Sequence, residues 1–229
     1  MNDTCSNCDA EISDGGFLKT PNRRYSARQV SFVNFVTDAS YPDLCEKCGD
    51  AEYRGAVIGT KAQREECRQY VQDHIVDFPM MTISQVPPGA RCRIKSMVTA
   101  NVTVGTGFFN ELSQGFSDMF GATNVATGMA FKVNSGEATA RSVLVEKAIA
   151  MGANCVIGVD IDYGTTNNNA ATVNMQGTAV VIENLENILS DDVLERFRVF
   201  EEKRGRVQEI SRWLAGDFEG VAVPDVETV

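Results

Sequence analysis

Residues 151–183 read MGANCVIGVDIDYGTTNNNAATVNMQGTAVVIE, and the fold turns on them. The run closes an amphipathic stripe in which Ala140, Leu144, Ala148 and Met151 recur every three or four residues, beside Val145 and Ile149. That spacing predicts a helix over residues 136–151 with Ser135 as its N-cap. Gly152 stands where a left-handed C-cap belongs. The alternation that follows predicts a strand, with Cys155, Ile157, Val159, Ile161 and Tyr163 on a core-like face and Val156, Gly158, Asp160 and Asp162 on the other. Residues 164–169 supply a reversal, because Gly and Asn accept positive φ. Residues 172–182 form the return strand, and Gly177 marks a bulge or a close approach.

Asp160 and Asp162 lie about 7 Å apart along their strand. That spacing suits oxygens offered to a hard cation, a solvated strand end or an interface face. A good oxygen site needs more ligands than two acids supply.

Upstream, residues 92–105 alternate loosely and predict a strand with a break near Thr99. Residues 80–85 form a short extended piece closed by the turn VPPG at 86–89. Phe109, Leu112, Phe116 and Met119 predict a helix over 108–120. The preceding Gly105-Thr106-Gly107 invites a nucleotide reading, but Asn110 stands where the dinucleotide fingerprint needs glycine, and no P-loop lysine follows. Residues 121–135 are small, polar and weakly patterned. Two amphipathic helices with antiparallel strands give an α+β fold class.

The N-terminal region carries the clearest chemistry. Cys5-Ser-Asn-Cys8 and Cys45-Glu-Lys-Cys48 are two C-x-x-C pairs separated by 36 residues. Four thiolates make a closed tetrahedral zinc site, so Cys5, Cys8, Cys45 and Cys48 are expected to hold a structural zinc ion. Redox dithiols and coincidence are the alternatives; redox pairs usually open a helix in a larger α/β unit. Residues 16–19, a turn at 20–23 and a β-rich run at 29–37 suggest a hairpin that returns Cys45 to Cys8. Gly49 suits a backbone reversal. The result is a zinc-ribbon-like module.

Residues 60–78 predict an amphipathic linker helix with Cys67, Val71, Ile75 and Phe78 on one face, ending before Pro79. His74, the one histidine, lies beside that stripe, which removes most histidine-based catalytic sets. After residue 184, Ser190-Asp191-Asp192 caps a helix whose Val193, Phe197, Phe200, Val207, Ile210 and Leu214 form a long stripe, interrupted at Gly205. The stripe packs on its own domain, bundles with neighbouring subunits or binds another protein.

The pieces MVTANVTVG, AMGANCVIGVDIDY and VNMQGTAVVI resemble the YbjQ-like family of small bacterial proteins. Its most specific run here is Gly152-Ala153, then Val156, Gly158-Val159 and Tyr163. The resemblance covers roughly residues 80–183. It implies a compact α+β subunit similar to dodecin-type proteins, assembly as pentameric rings, and a heavy-metal-binding label whose residues are open. Asp160, Asp162 and Cys155 are the matching positions able to touch a metal. The expected organisation is a zinc-ribbon-like module at 1–59, a linker helix at 60–79, the α+β oligomerisation domain at 80–183, a C-terminal helical extension at 184–215 and an acidic tail at 216–229.

A net charge of -10 argues against nucleic acid, despite the small cluster of Arg23, Arg24 and Arg28. No apolar run has membrane-spanning length, and the N-terminus lacks the pattern of a signal peptide. Seven cysteines with paired spacing suggest reduced thiols, hence a cytoplasmic location. A non-enzymatic homo-oligomeric scaffold or small-ligand carrier is the expectation. A metal-handling protein using the Asp160/Asp162 face, and an enzyme with a subunit-interface site, are the alternatives.

Overall fold

The computed structural model describes residues 4–17, 19–86, 88–104, 129–165 and 170–217. The helix expected over 108–120 lies outside them. In chain order the described elements are α1 (Ala27–Thr37), α2 (Glu46–Asp73), a 3-10 turn (Ile75–Asp77), β1 (Cys92–Val104), α3 (Met129–Ala150), β2 (Cys155–Thr165), β3 (Ala171–Ile182), a second 3-10 turn (Leu185–Asn187) and α4 (Asp191–Ala215). They fall into two compact units: one comprises the chain up to Gln69 and from Lys203 onward, the other Tyr70–Glu202.

In the second unit the strands form an antiparallel sheet of order β1-β3-β2. Partners across a sheet share a face, so the register sorts the side chains. One face carries Val104, Val102, Ala100 and Val98 of β1 opposite Ala171, Val173, Met175 and Gly177 of β3. Helix α3 packs here, coming so close at Gly136 that a Cβ would lie 2.8 Å from Val173 Cγ2. The other face carries Thr99, Asn101 and Thr103 of β1, Thr172, Asn174 and Gln176 of β3, and Asp160 and Asp162 of β2.

The expected alternation along β2 does not hold. Ile157 pairs with Thr178 and Asp160 with Gln176, so Gly158 and Val159 together oppose Gly177. This is a bulge, and Gly158 takes the left-handed conformation it needs at φ +61°. Two residues against one reverse the inward and outward parity. Cys155 and Ile157 therefore share a face with Asp160 and Asp162, whereas Val156 shares one with Ile161 and Tyr163. Cys155, Val156 and Ile157 are all buried. The break in β1 falls between Ile94 and Ser96, upstream of Thr99.

Helix α3 begins at Met129, so Ser135 lies within the helix and is not its N-cap; its carbonyl accepts the Thr139 hydroxyl at 2.8 Å. No proline between 129 and 135 stops the helix. Gly152 has φ +70°, and the Gly152 and Ala153 amides bond Ile149 and Ala148 carbonyls, closing the C-terminus. The core of this unit joins α3 to the sheet through Ala140, Leu144, Val145 and Ala148, and takes in Phe78, Phe197 and Phe200.

Cys155 sits in this core, and burial pushes its thiol up to about 12, with the Cys92 thiol adding to the effect. The raised value means the folded chain holds the proton more tightly than the unfolded chain. Its stabilising contribution is present below about pH 9 and is lost as pH rises toward 12. Alkaline unfolding of wild type should therefore be steeper than that of Cys155→Ala, measured by urea titration at pH 8 and pH 11.

In the first unit, residues 27–37 are helical and not the expected strand. Ser26 Oγ accepts the Gln29 amide and Gln29 Oε1 accepts the Ser26 amide, a complete capping box. Val30 and Val33 then fall on one buried face. The predicted linker helix over 60–78 is part of a longer one: α2 begins at Glu46, directly after Cys45, and ends at Asp73. Cys67 is buried within it. Helix α4 runs unbroken through Gly205. Its last turn closes with Gly216 at φ +80°, whose amide bonds the Trp213 carbonyl, while the Asp217 amide bonds that of Arg212. Trp213 packs edge-on to Phe35 at 4.7 Å, and Arg206 lies over the Trp213 ring at 4.5 Å.

Candidate metal centre

The two cysteine pairs are presented by different backbones. Cys5 to Cys8 form a turn in which the Cys5 amide bonds the Ala10 carbonyl and the Asp9 amide returns to the Cys5 carbonyl. Asp9 takes φ +55° to complete it. Cys45 to Cys48 lie at the start of α2, where the Cys48 and Gly49 amides bond the Cys45 carbonyl. Gly49 serves close packing and not a reversal: a Cβ there would lie 2.8 Å from Leu44 Cβ and 3.2 Å from the Tyr25 ring.

The segments between carry one pair to the other. Bridges Ser13–Asn22 and Gly16–Lys19 fold residues 13–22 on themselves, and Arg24 pairs with Cys45. Asn22 then acts as a hub. Its side chain donates to the Glu11 carbonyl at 2.7 Å and accepts the Lys47 amide at 3.0 Å. Arg24 donates to the Thr4 carbonyl at 2.9 Å and pairs with the buried Asp43 carboxylate at 2.9 Å. Asp43 also accepts the Ser6 amide.

The four sulfurs converge so that all lie within 4.8 Å of one another. Cys5–Cys48, Cys8–Cys45 and Cys45–Cys48 separations are 3.8, 3.7 and 3.7 Å. A tetrahedral ion bonded to sulfur at about 2.3 Å requires sulfur–sulfur edges of about 3.8 Å. Three of the six edges meet that value and the rest lie within 4.8 Å, so the donor set and its spacing suit a metal ion. Soft thiolates in a tetrahedron select zinc or iron over hard cations. The second pair does open a helix, as redox dithiols do, yet it shares one cluster with Cys5 and Cys8, which a two-thiol pair does not need.

The thiols are electrostatically unequal. At Cys45 burial opposes ionisation, but the backbone amides of Cys48 and Lys47, the Asn22 side chain and Cys8 outweigh it and bring the thiol down to about 7. At Cys8 the Ala10 amide favours the thiolate, but desolvation and the three neighbouring thiols together push it up to about 12. Burial raises Cys5 as well. Metal capture at neutral pH must then expel protons from Cys5 and Cys8. The sign follows: acid competes with metal, and apparent affinity rises with pH, by about tenfold per pH unit for each proton expelled. Competition titrations against a chelator at pH 6, 7 and 8 check this; a flat profile would contradict it.

Other sequence candidates lie elsewhere. Asp160 and Asp162 are exposed, and Gln176 donates to Asp160 at 3.4 Å. Among the described residues, the four cysteines are the one group of three or more His, Cys, Asp or Glu placed to hold a metal. Cys155 is buried in the sheet core. His74 stacks on Tyr70 with centroids 3.9 Å apart. Arg23 and Arg24 pair with Asp14 and Asp43, and Arg28 donates to the Ala215 and Gly216 carbonyls, so the small basic cluster is engaged internally. Among the described residues, no helix is long and apolar enough to cross a membrane.

Residues 79–183 match the family model YbjQ_1, described as "Putative heavy-metal-binding". A UPF0145 protein of Acetivibrio thermocellus is 37% identical over 92 residues, covering 39% of this chain and 84% of that protein. The chain belongs to the YbjQ family. A UPF0145 protein of Listeria ivanovii is 34% identical over 91 residues, covering 39% of the chain and 81% of that protein. A crystal structure of a DUF74-family protein of unknown function from Pediococcus pentosaceus aligns over 45% of this chain and 96% of its own, at 16% identity and a TM-score of 0.29. The YbjQ match begins at residue 79, so the cysteine centre lies outside the region that carries the family's description. The YbjQ region is the sheet and α3; the metal-ready thiols belong to the segment before it.

Proposed function

We propose that this YbjQ-family protein is a non-enzymatic homo-oligomer, a pentameric scaffold or small-ligand carrier of the cytoplasm, whose N-terminal module is held by a structural zinc ion on Cys5, Cys8, Cys45 and Cys48. The observation that carries the metal assignment is the convergence of four thiols with three sulfur–sulfur separations of 3.7–3.8 Å, and four thiolates are a common structural zinc shell. A shell of four thiolates has no open position for a substrate, which favours a structural over a catalytic ion.

Self-association is supported by β1. It is 13 residues long and ends the sheet, and among the described residues no strand pairs with its outer edge. Ile94 and Met97 on it are 73% and 68% exposed. A long edge with exposed apolar side chains is a template for another chain, and in a ring it meets a different surface of the next copy, head to tail. Light scattering on wild type and on the double variant Ile94→Lys, Met97→Lys tests this. The reading expects a ring that the variant dissociates; a strictly monomeric wild type overturns it.

A second reading places a metal on the sheet face with Asp160 and Asp162, which share that exposed surface with Asn101, Asn174 and Gln176. Calorimetry with zinc on the protein with its cysteine centre filled, against Asp160→Asn and Asp162→Asn, separates the two. Loss of a second binding event in the variants supports this reading; an unchanged isotherm refutes it.

A further inference from the structure

The four thiols differ in how firmly the protein holds them, and the difference is geometric. Cys5 and Cys45 have no exposed surface, Cys48 is half-buried, and Cys8 is exposed. The backbone either side of Cys5 is pinned, since Arg24 holds the Thr4 carbonyl and Asp43 holds the Ser6 amide. Cys45 and Cys48 are fixed by the first turn of α2, and the Asn7 amide group leans on Cys48 Sγ at 3.6 Å. Cys8 lies within the exposed run Ser6-Asn7-Cys8-Asp9, outside the Arg24–Asp43 clamp.

Replacing a ligand at a closed four-coordinate centre has two requirements. An incoming donor must reach the ion, and one bound sulfur must be free to swing away. Burial denies both at Cys5 and Cys45, and the helix denies the second at Cys48. Cys8 meets both. We infer that the cysteine centre exchanges its metal with external thiols through Cys8, which gives up its place on the ion first while the other three cysteines still hold it. The inference rests on the reading that these cysteines hold a metal. In the entry step, one metal–sulfur bond to the incoming small thiol forms and the bond to Cys8 breaks; further thiols then replace Cys48, Cys5 and Cys45 in the same way, and the ion leaves on the external thiols. The proton of the incoming thiol passes to the departing Cys8 sulfur, and no electrons are transferred.

The test uses the full chain loaded with zinc. Limiting iodoacetamide is added, the order of alkylation among the four cysteines is read by peptide mass spectrometry, and released zinc is followed by a colorimetric chelator. Cys8 should be alkylated first, with zinc release in step. In a parallel run without alkylation, zinc release should double with each doubling of glutathione. First alkylation at Cys5, Cys45 or Cys48, alkylation of Cys8 without zinc release, or a rate independent of glutathione overturns the inference while leaving the metal reading intact. A chain that takes up no zinc overturns both.

Discussion

Removing the metal from the cysteine centre should unfold the N-terminal segment and leave the YbjQ sheet standing. Among the described residues from 4 to 25, Cys5 is the one fully buried residue. The segment is joined by isolated bridges and exposed hydrogen bonds, with no apolar core of its own. On the proposed reading its order rests largely on four sulfur–metal bonds, a contribution on the order of 10 kcal/mol in small zinc modules. Hydrogen exchange after chelation should show amides of residues 4–25 and the start of α2 losing protection. Amides of β1, β3 and α3 should keep theirs. Cys45→Ser should reproduce the effect without a chelator. Loss of protection in the sheet to the same extent would contradict the division into two units.

The second large effect is expected in the core of the other unit. Phe200 has no exposed surface and meets Phe78 edge-on, with centroids 6.3 Å apart; Phe197 meets the same ring at 5.9 Å. Phe78 comes from the segment before β1 and the other two from α4, so this aromatic group ties sequence-distant parts of one core together. Phe200→Ala removes the ring and leaves a cavity, costing about 3–5 kcal/mol. Val76→Ala is the control: Val76 is 58% exposed, and its truncation should stay within about 0.5 kcal/mol. Urea denaturation monitored by the far-ultraviolet signal of this unit measures both, through a shift in midpoint at constant slope.

The four-cysteine cluster was legible in the sequence because paired cysteines at C-x-x-C spacing are a local chemical signal. Their scaffold was not. The Val- and Phe-rich run at residues 29–37 has strand propensity, yet Ser26 and Gln29 cap it as a helix. The capping box was present in the sequence and outweighs propensity there. The second cysteine pair looked like a second knuckle because its helical continuation is marked by no distinctive residue; Gly49 even suggested a reversal, where the structure uses it for contact with Leu44 and Tyr25.

The sheet shows the same division. Its strands and their antiparallel pairing were readable from apolar runs, while the loop expected at 164–169 falls largely outside the described residues. Which residues of β2 face inward was not, because one bulge at Gly158 and Val159 reverses parity for everything beyond it. Gly158 and Gly177 were the visible signals. Their pairing across two strands became apparent only with the register. The polar face bearing Asp160 and Asp162 consequently includes Cys155 and Ile157 at its other end.

A native mass spectrum of the purified chain tests the central claim most directly, because it weighs metal and subunits together. One zinc ion per chain, carried by a pentamer, is the expected mass, with the zinc lost and the subunit number unchanged in Cys45→Ser. A wild-type chain bearing no metal, or a metal retained in full when Cys45 is replaced, would contradict it.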